Sequence, residues 1–149
     1  MVLCNHKKVI IMDAGISEGA GLLILRAVSG ILYIVHGSMK VRQPSRNQLR
    51  QMMAQLGIPG PLFDLVALLE VGGGVALIVG LLARFASILY ALFMVGNLIL
   101  YATKLSKPPV SKGYVGGYEL DTLLLGIAIL IALTGPGVYS LDHIIGLNI

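Results

Sequence analysis

Charged residues are scarce in this chain. Asp, Glu, Lys and Arg make up 12% of its 149 residues, and 56% of the residues are hydrophobic, whereas a soluble domain carries about 25% charged residues. A bilayer span needs roughly 20 mainly apolar residues, so four spans and their connections would use up this length. The composition predicts an integral membrane protein with no separate soluble domain.

Cysteine is almost absent. Cys4 stands alone, so the chain can form no internal disulfide, no Cys-x-x-Cys redox centre and no cysteine-held iron–sulfur cluster. Of three histidines, only His36 falls at predicted membrane depth, which leaves a pairing with Met39 or Met94 as the one open route to an axially held haem. We expect no metal or haem, and no dinucleotide loop in the glycine-bearing segment 15–21.

Four apolar stretches predict an all-α, four-helix transmembrane bundle. Residues 1–19 are expected to form an N-terminal tail, and 20–149 a membrane domain. Between the first two stretches, apolar residues recur at helical spacing against Arg and Gln, which predicts a short amphipathic helix on the membrane surface. The predicted spans are about 20–39, 62–83, 85–103 and 118–134, and the second and third are expected to form a tight antiparallel hairpin. Ser140 and Asp142 are expected to cap a short final turn that begins near His143.

Basic residues predict the orientation. The net charge of +4 fits Lys and Arg facing anionic lipid better than a nucleic-acid partner. The loops after the first and third spans carry seven Lys or Arg, and the other side carries three. By the positive-inside rule, both termini are expected outside the cytoplasm.

Two charged residues fall inside predicted spans. Arg26 and Glu70 would each cost at least about 2.5 to 3.5 kcal/mol in hydrocarbon, so both must face protein or water. Arg26, Tyr33 and Lys40 share one face of the first span, together with Gly30 and Gly37. We therefore expect one connected polar cluster containing Arg26 and Glu70. It is either a ligand or proton site, or an ion pair that fixes helix register.

Other polar residues are candidate members of this cluster. His36 is either a member or an interfacial residue, and Asn97 either joins helices or contacts a ligand. Arg84 marks the far end of the second span or joins a polar network. Tyr101 and Glu119 fall near span ends. On the second span, Gly72, Ala76 and Gly80 form a stripe of small residues that predicts helix packing.

Three segments of the sequence resemble the DoxX family. They are LLILRAVSGILYIVHGSMKV from Leu22, LGIPGPLFDLVALLEVGGGVALIVGLLARFASIL from Leu56, and GYELDTLLLGIAILIALTGPGVYSLD from Gly117. The resemblance covers about Leu22 to Ile145. It marks as family positions Arg26, His36, Gly37, Lys40, Glu70, Gly80, Arg84, Glu119, Gly135, Ser140 and Asp142.

This resemblance implies a four-helix membrane subunit linked to respiratory or redox chemistry, since the family includes a subunit of the archaeal thiosulfate:quinone oxidoreductase. A diffusible quinone is the implied electron acceptor. In this hypothesis Glu70 and His36 handle protons and Arg26 stabilises an anionic substrate, as the catalytic residues. The expected substrate or quinone contacts are Tyr33, Asn97, Tyr101, Glu119 and Arg84.

Three functions stay open at this point. The first is an enzyme subunit that passes electrons from thiosulfate or another reductant to quinone. The second is a noncatalytic subunit of a larger respiratory membrane complex, which would dock through the stripe of small residues. The third is a carrier of a small molecule or lipid. The expected partners are the bilayer and other membrane subunits, with a homo-oligomer as a further option.

Overall fold

The computed structural model describes the backbone of residues 2–105 and 118–147, and the side chains of 17–104 and 118–147. All regular structure in these ranges is helical, which confirms the predicted class. A π-helical turn, Tyr101–Leu105, continues the fourth helix. The α-helices are α1 (Val2–Val41), α2 (Ser45–Gln55), α3 (Gly60–Val79), α4 (Ala83–Leu100), α5 (Tyr118–Thr134) and α6 (Leu141–Ile144).

Within the described residues, three helices are long and apolar enough to cross a membrane. They comprise Ser17–Val41 within α1, all of α3, and Ala83–Lys104, which covers α4 and part of the π-helical turn. Their outward faces are apolar, with Leu68 and Leu92 largely exposed. Since a soluble protein would not leave such long helical faces uncovered, the chain is a multi-pass membrane protein.

Helix boundaries differ from the prediction at two places. α1 begins at Val2, so helix extends through the segment predicted as a tail. α3 ends at Val79 because Gly80 adopts a left-handed conformation with φ 76°, which glycine tolerates without a Cβ penalty. The connection between α3 and α4 is therefore only residues 80–82.

The bundle is built mainly from two helix pairs, α1 with α3 and α4 with α5. The first pair approaches closely at two glycines, since a Cβ on Gly30 would lie 2.7 Å from the carbonyl oxygen of Gly74. Small residues allow such contact between helices in lipid, where van der Waals packing and hydrogen bonds hold helices together. The α3–α4 hairpin is present as predicted, but its two helices share a smaller contact than either pair.

The chain after α5 folds back onto the bundle. Ser140 accepts a hydrogen bond of 3.1 Å from the backbone N–H of His143, and so caps α6 as predicted. Asp142 was expected to cap the same turn, and that prediction is wrong. Its two carboxylate oxygens accept from the backbone N–H groups of Leu82 at 2.8 Å and Ala83 at 3.0 Å. The short connection before α4 supplies no side-chain cap of its own, and Asp142 fills that role.

These contacts define two ends of the bundle. The α2 end contains the last turn of α1, α2, the start of α3 and the start of α5. The α6 end contains the connection at residues 80–82, the end of α5 and α6. Arg46 and Asp64 form an ion pair of 2.8 Å at the α2 end, which fastens α2 to α3.

Candidate functional site

A buried ion pair joins α1 to α3 near the α2 end. The Lys40 ammonium donates a hydrogen bond to Glu70 Oε1, and Glu70 is 3% exposed. The second carboxylate oxygen, Oε2, is buried and has no hydrogen-bond partner within the described part of the chain. Gly37 makes this approach possible, because a Cβ there would lie 2.9 Å from the Glu70 Cβ. Glu70 is thus held at one oxygen and available at the other.

Two stacked tyrosines lie beside the ion pair. The rings of Tyr33 on α1 and Tyr90 on α4 have centroids 3.6 Å apart and planes inclined by 10°. The Tyr90 hydroxyl donates to the carbonyl oxygens of Leu69 at 2.9 Å and Glu70 at 3.0 Å. The buried Tyr33 hydroxyl has no partner among the described side chains and backbone. Tyr90 is therefore committed to packing, whereas the Tyr33 hydroxyl can bind another group.

Further charges surround this carboxylate. Glu70 interacts electrostatically with Lys40, His36 and Asp121, and Asp121 is itself buried at the start of α5. The Lys40 ammonium also lies 5.5 Å from the centroid of the Phe93 ring, within cation–π range. Two carboxylates thus share a poorly solvated place with one ammonium and one imidazole, and carboxylates and imidazoles are groups that can exchange a proton. We call Tyr33, Lys40, Glu70, Tyr90 and Asp121 the Glu70 site.

Arg26 lies in a different place. Its guanidinium is fully buried and donates from Nη2 to the Tyr139 carbonyl oxygen at 2.6 Å, while Asp142 supplies the opposite charge nearby. Gly80 packs directly on it, so any side chain at position 80 would overlap Arg26 Nη1. Eleven residues separate Arg26 from Gly37, which is about 16 Å of helix. The prediction of one cluster containing both charges is wrong, because Arg26 is used to bind the α6 end.

The remaining predicted site residues are spread over the bundle. His36 lies near Glu70 and Asp121, and Asn97 is half-buried on α4. Tyr101 packs against Tyr118 with ring centroids 5.4 Å apart. Glu119 is exposed and lines an open cavity of about 610 Å³ along α5. Arg84 lies at the α6 end.

The predicted docking stripe on α3 is not continuous. Gly72 is exposed, with nothing within 4 Å of an added Cβ, whereas Gly80 is buried against Arg26 and Ser140. The left-handed turn at Gly80 directs it into the bundle. Two of the three residues therefore remain for contact with another helix or subunit.

The sequence did not place Lys40, Tyr90 and Asp121 among the expected catalytic or binding residues, although each lies on a helix face or helix end that it marked for the polar cluster. A signal for Lys40 was present, because it lies on the same face of α1 as Tyr33. Tyr90 belongs to the inward face of α4, and Asp121 stands in the first turn of the last long helix. The pairing of Lys40 with Glu70 depends on how far α1 and α3 overlap along their length, which the spacing within one helix does not give.

The Glu70 site has the chemistry to hold a quinone head group. The Tyr33 hydroxyl and Lys40 ammonium are donors suited to carbonyl oxygens, and the rings of Phe93 and Tyr33 supply apolar surface. The orphaned oxygen of Glu70 can take or give a proton. A metal lacks a comparable set of ligands, since no three His, Cys, Asp or Glu side chains within residues 17–104 and 118–147 are placed so that they could hold an ion.

Comparison with known proteins supports a family assignment. The family model described as DoxX matches residues 21–104. CatD of Bacillus subtilis, whose name presents it as a candidate oxidoreductase, is 34% identical over 82% of this chain and 84% of its own. The Escherichia coli inner membrane protein YqjF is 32% identical over 86% of this chain and 94% of its own. The inner membrane protein YphA of the same organism is 25% identical, over 88% and 94%. No solved structure matches significantly.

Proposed function

This chain belongs to the DoxX family of membrane proteins, and we propose that it is the membrane subunit of a redox system that uses quinone, with the Glu70 site handling protons. The observation that carries the proposal is a buried carboxylate with one oxygen bonded to Lys40 and the other without a partner among the described residues. A carboxylate in this state can exchange a proton without losing its anchor. The name of the relative CatD, which refers to oxidoreductase activity, supports a redox role.

Each residue of the Glu70 site has a distinct task in this proposal. A bound quinone accepts two electrons and two protons at its two carbonyl oxygens. The Tyr33 hydroxyl would hold the head group by a hydrogen bond, and Glu70 Oε2 would hold a proton that the reduction consumes. Lys40 balances the carboxylate charge after the proton has left. Asp121 and His36 supply the next proton from the α2 end, and Tyr90 keeps the backbone of α3 in place.

The electrons come from outside the Glu70 site in this scheme. The tyrosine, lysine and carboxylate side chains at this site can make hydrogen bonds and transfer protons. The chain contains a single cysteine, Cys4, so it cannot form a dithiol redox centre of its own. A partner protein or a soluble reductant therefore acts as the electron donor. Thiosulfate is one candidate, suggested by the family resemblance.

The proposal is tested by Glu70→Gln, which keeps the shape of the side chain and removes the acid. Quinone reduction is measured in membranes that contain equal amounts of assembled protein. Since general acid–base groups contribute about 10²- to 10⁴-fold to a rate, turnover should fall by at least about 100-fold. Asp64→Asn is the matched control, because Asp64 is a carboxylate on the same helix paired with Arg46 at the surface.

The outcome separates two functions. Unchanged turnover in correctly assembled Glu70→Gln protein would remove Glu70 from the mechanism. Loss of assembly without any change in turnover per assembled complex would favour the noncatalytic subunit, in which the Lys40–Glu70 pair fixes the register of α1 on α3. Equal loss in Asp64→Asn would show that the effect does not depend on the buried site.

We further propose that α5 is a fourth span and that α2 lies on the membrane surface. Asp121 in the first turn of α5 interacts with Lys40 and His36, whereas Gly135 just after α5 lies beside Arg84. The helix thus extends from the α2 end to the α6 end. Exposed Arg42 and Lys104 flank α2, and Lys104 donates to the Leu56 carbonyl oxygen.

With four spans, both termini lie at the end of the bundle opposite α2. The basic residues at the α2 end favour a cytoplasmic location for that end, which supports a non-cytoplasmic location for the termini. Lys107 and Lys112, which contribute to that assignment, lie outside the described residues. The test is labelling of single cysteines in intact cells with a membrane-impermeant reagent, on a Cys4→Ser background. Cysteine at Leu147 should label from outside, and cysteine at Gln48 in α2 only after permeabilisation. The reverse pattern would contradict the orientation.

A further inference from the structure

A second polar site lies at the α6 end, away from the Glu70 site. Arg84 stands in the first turn of α4 and is half-buried. Its Nε atom is buried and has no hydrogen-bond partner among the described residues. No carboxylate of the described residues lies within ion-pair distance of Arg84. The ion pairs of those residues involve Lys40, Arg46 and Arg50. Arg84 thus lies at an end of the bundle with no described carboxylate as its counter-charge.

Arg84 borders a cavity of about 310 Å³. The end of α5 forms one wall, through Thr134 and Gly135, and the C-terminal segment forms another, through His143 and Leu147. A Cβ at Gly135 would lie 3.1 Å from Arg84 Nη2, and Gly135 has a left-handed φ of 84°. The backbone at position 135 thus stays clear of the guanidinium, where a side chain would crowd it.

Asp142, an acidic residue at the same end of the bundle, makes its contacts with other groups. Both carboxylate oxygens of Asp142 accept backbone N–H groups at the start of α4, and its charge acts on Arg26. It does not come within ion-pair distance of Arg84. Among its described lining residues, the cavity therefore combines an arginine side chain and an exposed histidine with no neutralising carboxylate.

We propose that this cavity binds a phosphate-type oxyanion between Arg84 and His143. A guanidinium presents parallel N–H donors that match two oxygens of one phosphate group, and a histidine ring can donate to a third. The volume lies at the lower limit for small-molecule pockets and exceeds what a bare ion needs. The chemistry fits the head group of an anionic lipid and a free phosphate ion equally.

Binding would join three parts of the fold. Arg84 belongs to α4, Gly135 follows α5, and His143 belongs to α6. An anion between them replaces a side-chain carboxylate as the counter-charge and holds the C-terminal segment against the helix pair. The stability of the folded chain should then rise with anion concentration by mass action.

The test uses the full chain, freed of lipid, in maltoside micelles. Inorganic phosphate is titrated at constant ionic strength with chloride as the balancing ion, and thermal unfolding is followed. The wild type should gain stability with phosphate and show none of this gain with chloride. Arg84→Gln should bind phosphate at least 10-fold more weakly. Arg42→Gln, which removes an exposed arginine at the α2 end, is the matched control and should bind as the wild type does.

A second arm identifies the source of the anion. Phosphatidylglycerol is added to the same micelles, with a diacylglycerol of the same chains as the phosphate-free control. Protection by the phospholipid at 10-fold lower concentration than free phosphate would assign a lipid head group. Protection by free phosphate at equal or lower concentration would assign a soluble ion.

Two results would overturn the proposal. One is equal binding by wild type and Arg84→Gln, and the other is equal stabilisation by chloride and phosphate. Should Arg84→Gln fail to fold, Arg84→Lys replaces it, because lysine keeps the charge and loses the paired donors. That variant should bind phosphate several-fold more weakly than the wild type, and unchanged binding would again contradict the proposed arginine fork.

Discussion

The ring of Tyr33 lies nearly parallel to the ring of Tyr90, with 3.6 Å between centroids, but the two hydroxyls differ in their hydrogen bonding. Tyr90 donates to two carbonyl oxygens of α3, whereas Tyr33 has no partner among the described groups. The pair thus joins α1, α3 and α4 through one aromatic contact. It also leaves one free hydroxyl next to the buried carboxylate of Glu70.

This difference gives a matched pair of variants. Tyr90→Phe should lower the free energy of unfolding by about 1 to 2 kcal/mol, because it removes a buried donor from two carbonyl oxygens. Tyr33→Phe should stay within about 0.5 kcal/mol of the wild type, since no protein hydrogen bond is lost. Unfolding in detergent measures both. In the proposed function Tyr33→Phe instead lowers quinone turnover, and equal destabilisation by the two changes would contradict the distinction.

The buried ion pair predicts strong coupling between Lys40 and Glu70. Lys40→Met leaves a carboxylate without its partner in a dry place, which should cost about 3 to 5 kcal/mol of stability. Adding Glu70→Met should recover most of that loss, because the double variant has no unpaired charge and similar volume. A double-mutant cycle on unfolding free energies is the measurement. Additive losses would show that the two side chains do not form a pair in the membrane.

Two glycines of α3 and its C-terminal turn should respond in opposite directions to alanine. Gly80→Ala introduces a Cβ that overlaps Arg26 Nη1 and lies 2.7 Å from Ser140 Cβ, at a φ of 76°. Left-handed backbone at a residue other than glycine costs about 1 to 2 kcal/mol, and the overlap adds to that. Gly72→Ala meets nothing within 4 Å and should gain about 0.5 to 1 kcal/mol from helix propensity. Thermal unfolding of both variants checks this, and a harmless Gly80→Ala would contradict the packing of Arg26.

The sequence predicted the fold class because hydrophobic length and rare charges reflect the bilayer directly. It also predicted that Arg26 and Glu70 face protein or water, since neither could remain in hydrocarbon. Both are buried. What it could not predict is which partner each finds. Arg26 binds Tyr139, a residue 113 positions away, and such distant contacts depend on how the end of the chain folds back.

The same reason explains the misassigned role of Asp142. Its position just after Ser140 suggested a cap for the helix that follows, because caps are usually local in sequence. The start of α4 lacks a local cap, and a carboxylate 59 residues away from Ala83 takes its place. Local patterns therefore predicted the helices, while the polar contacts that hold their ends were set by tertiary structure.

Two variants of Asp142 test its two roles, as the cap at the start of α4 and as the negative charge near Arg26. Asp142→Ala removes both acceptors from the start of α4 and the negative charge near Arg26, so stability should fall by more than the roughly 0.5 to 2 kcal/mol typical of a lost cap. Asp142→Asn keeps one oxygen as an acceptor for a backbone N–H, and removes the charge and the second acceptor. It should therefore lose less than Asp142→Ala. Chemical unfolding compares the two, and equal losses would show that the one acceptor retained by asparagine contributes nothing to the stability of this end of the bundle.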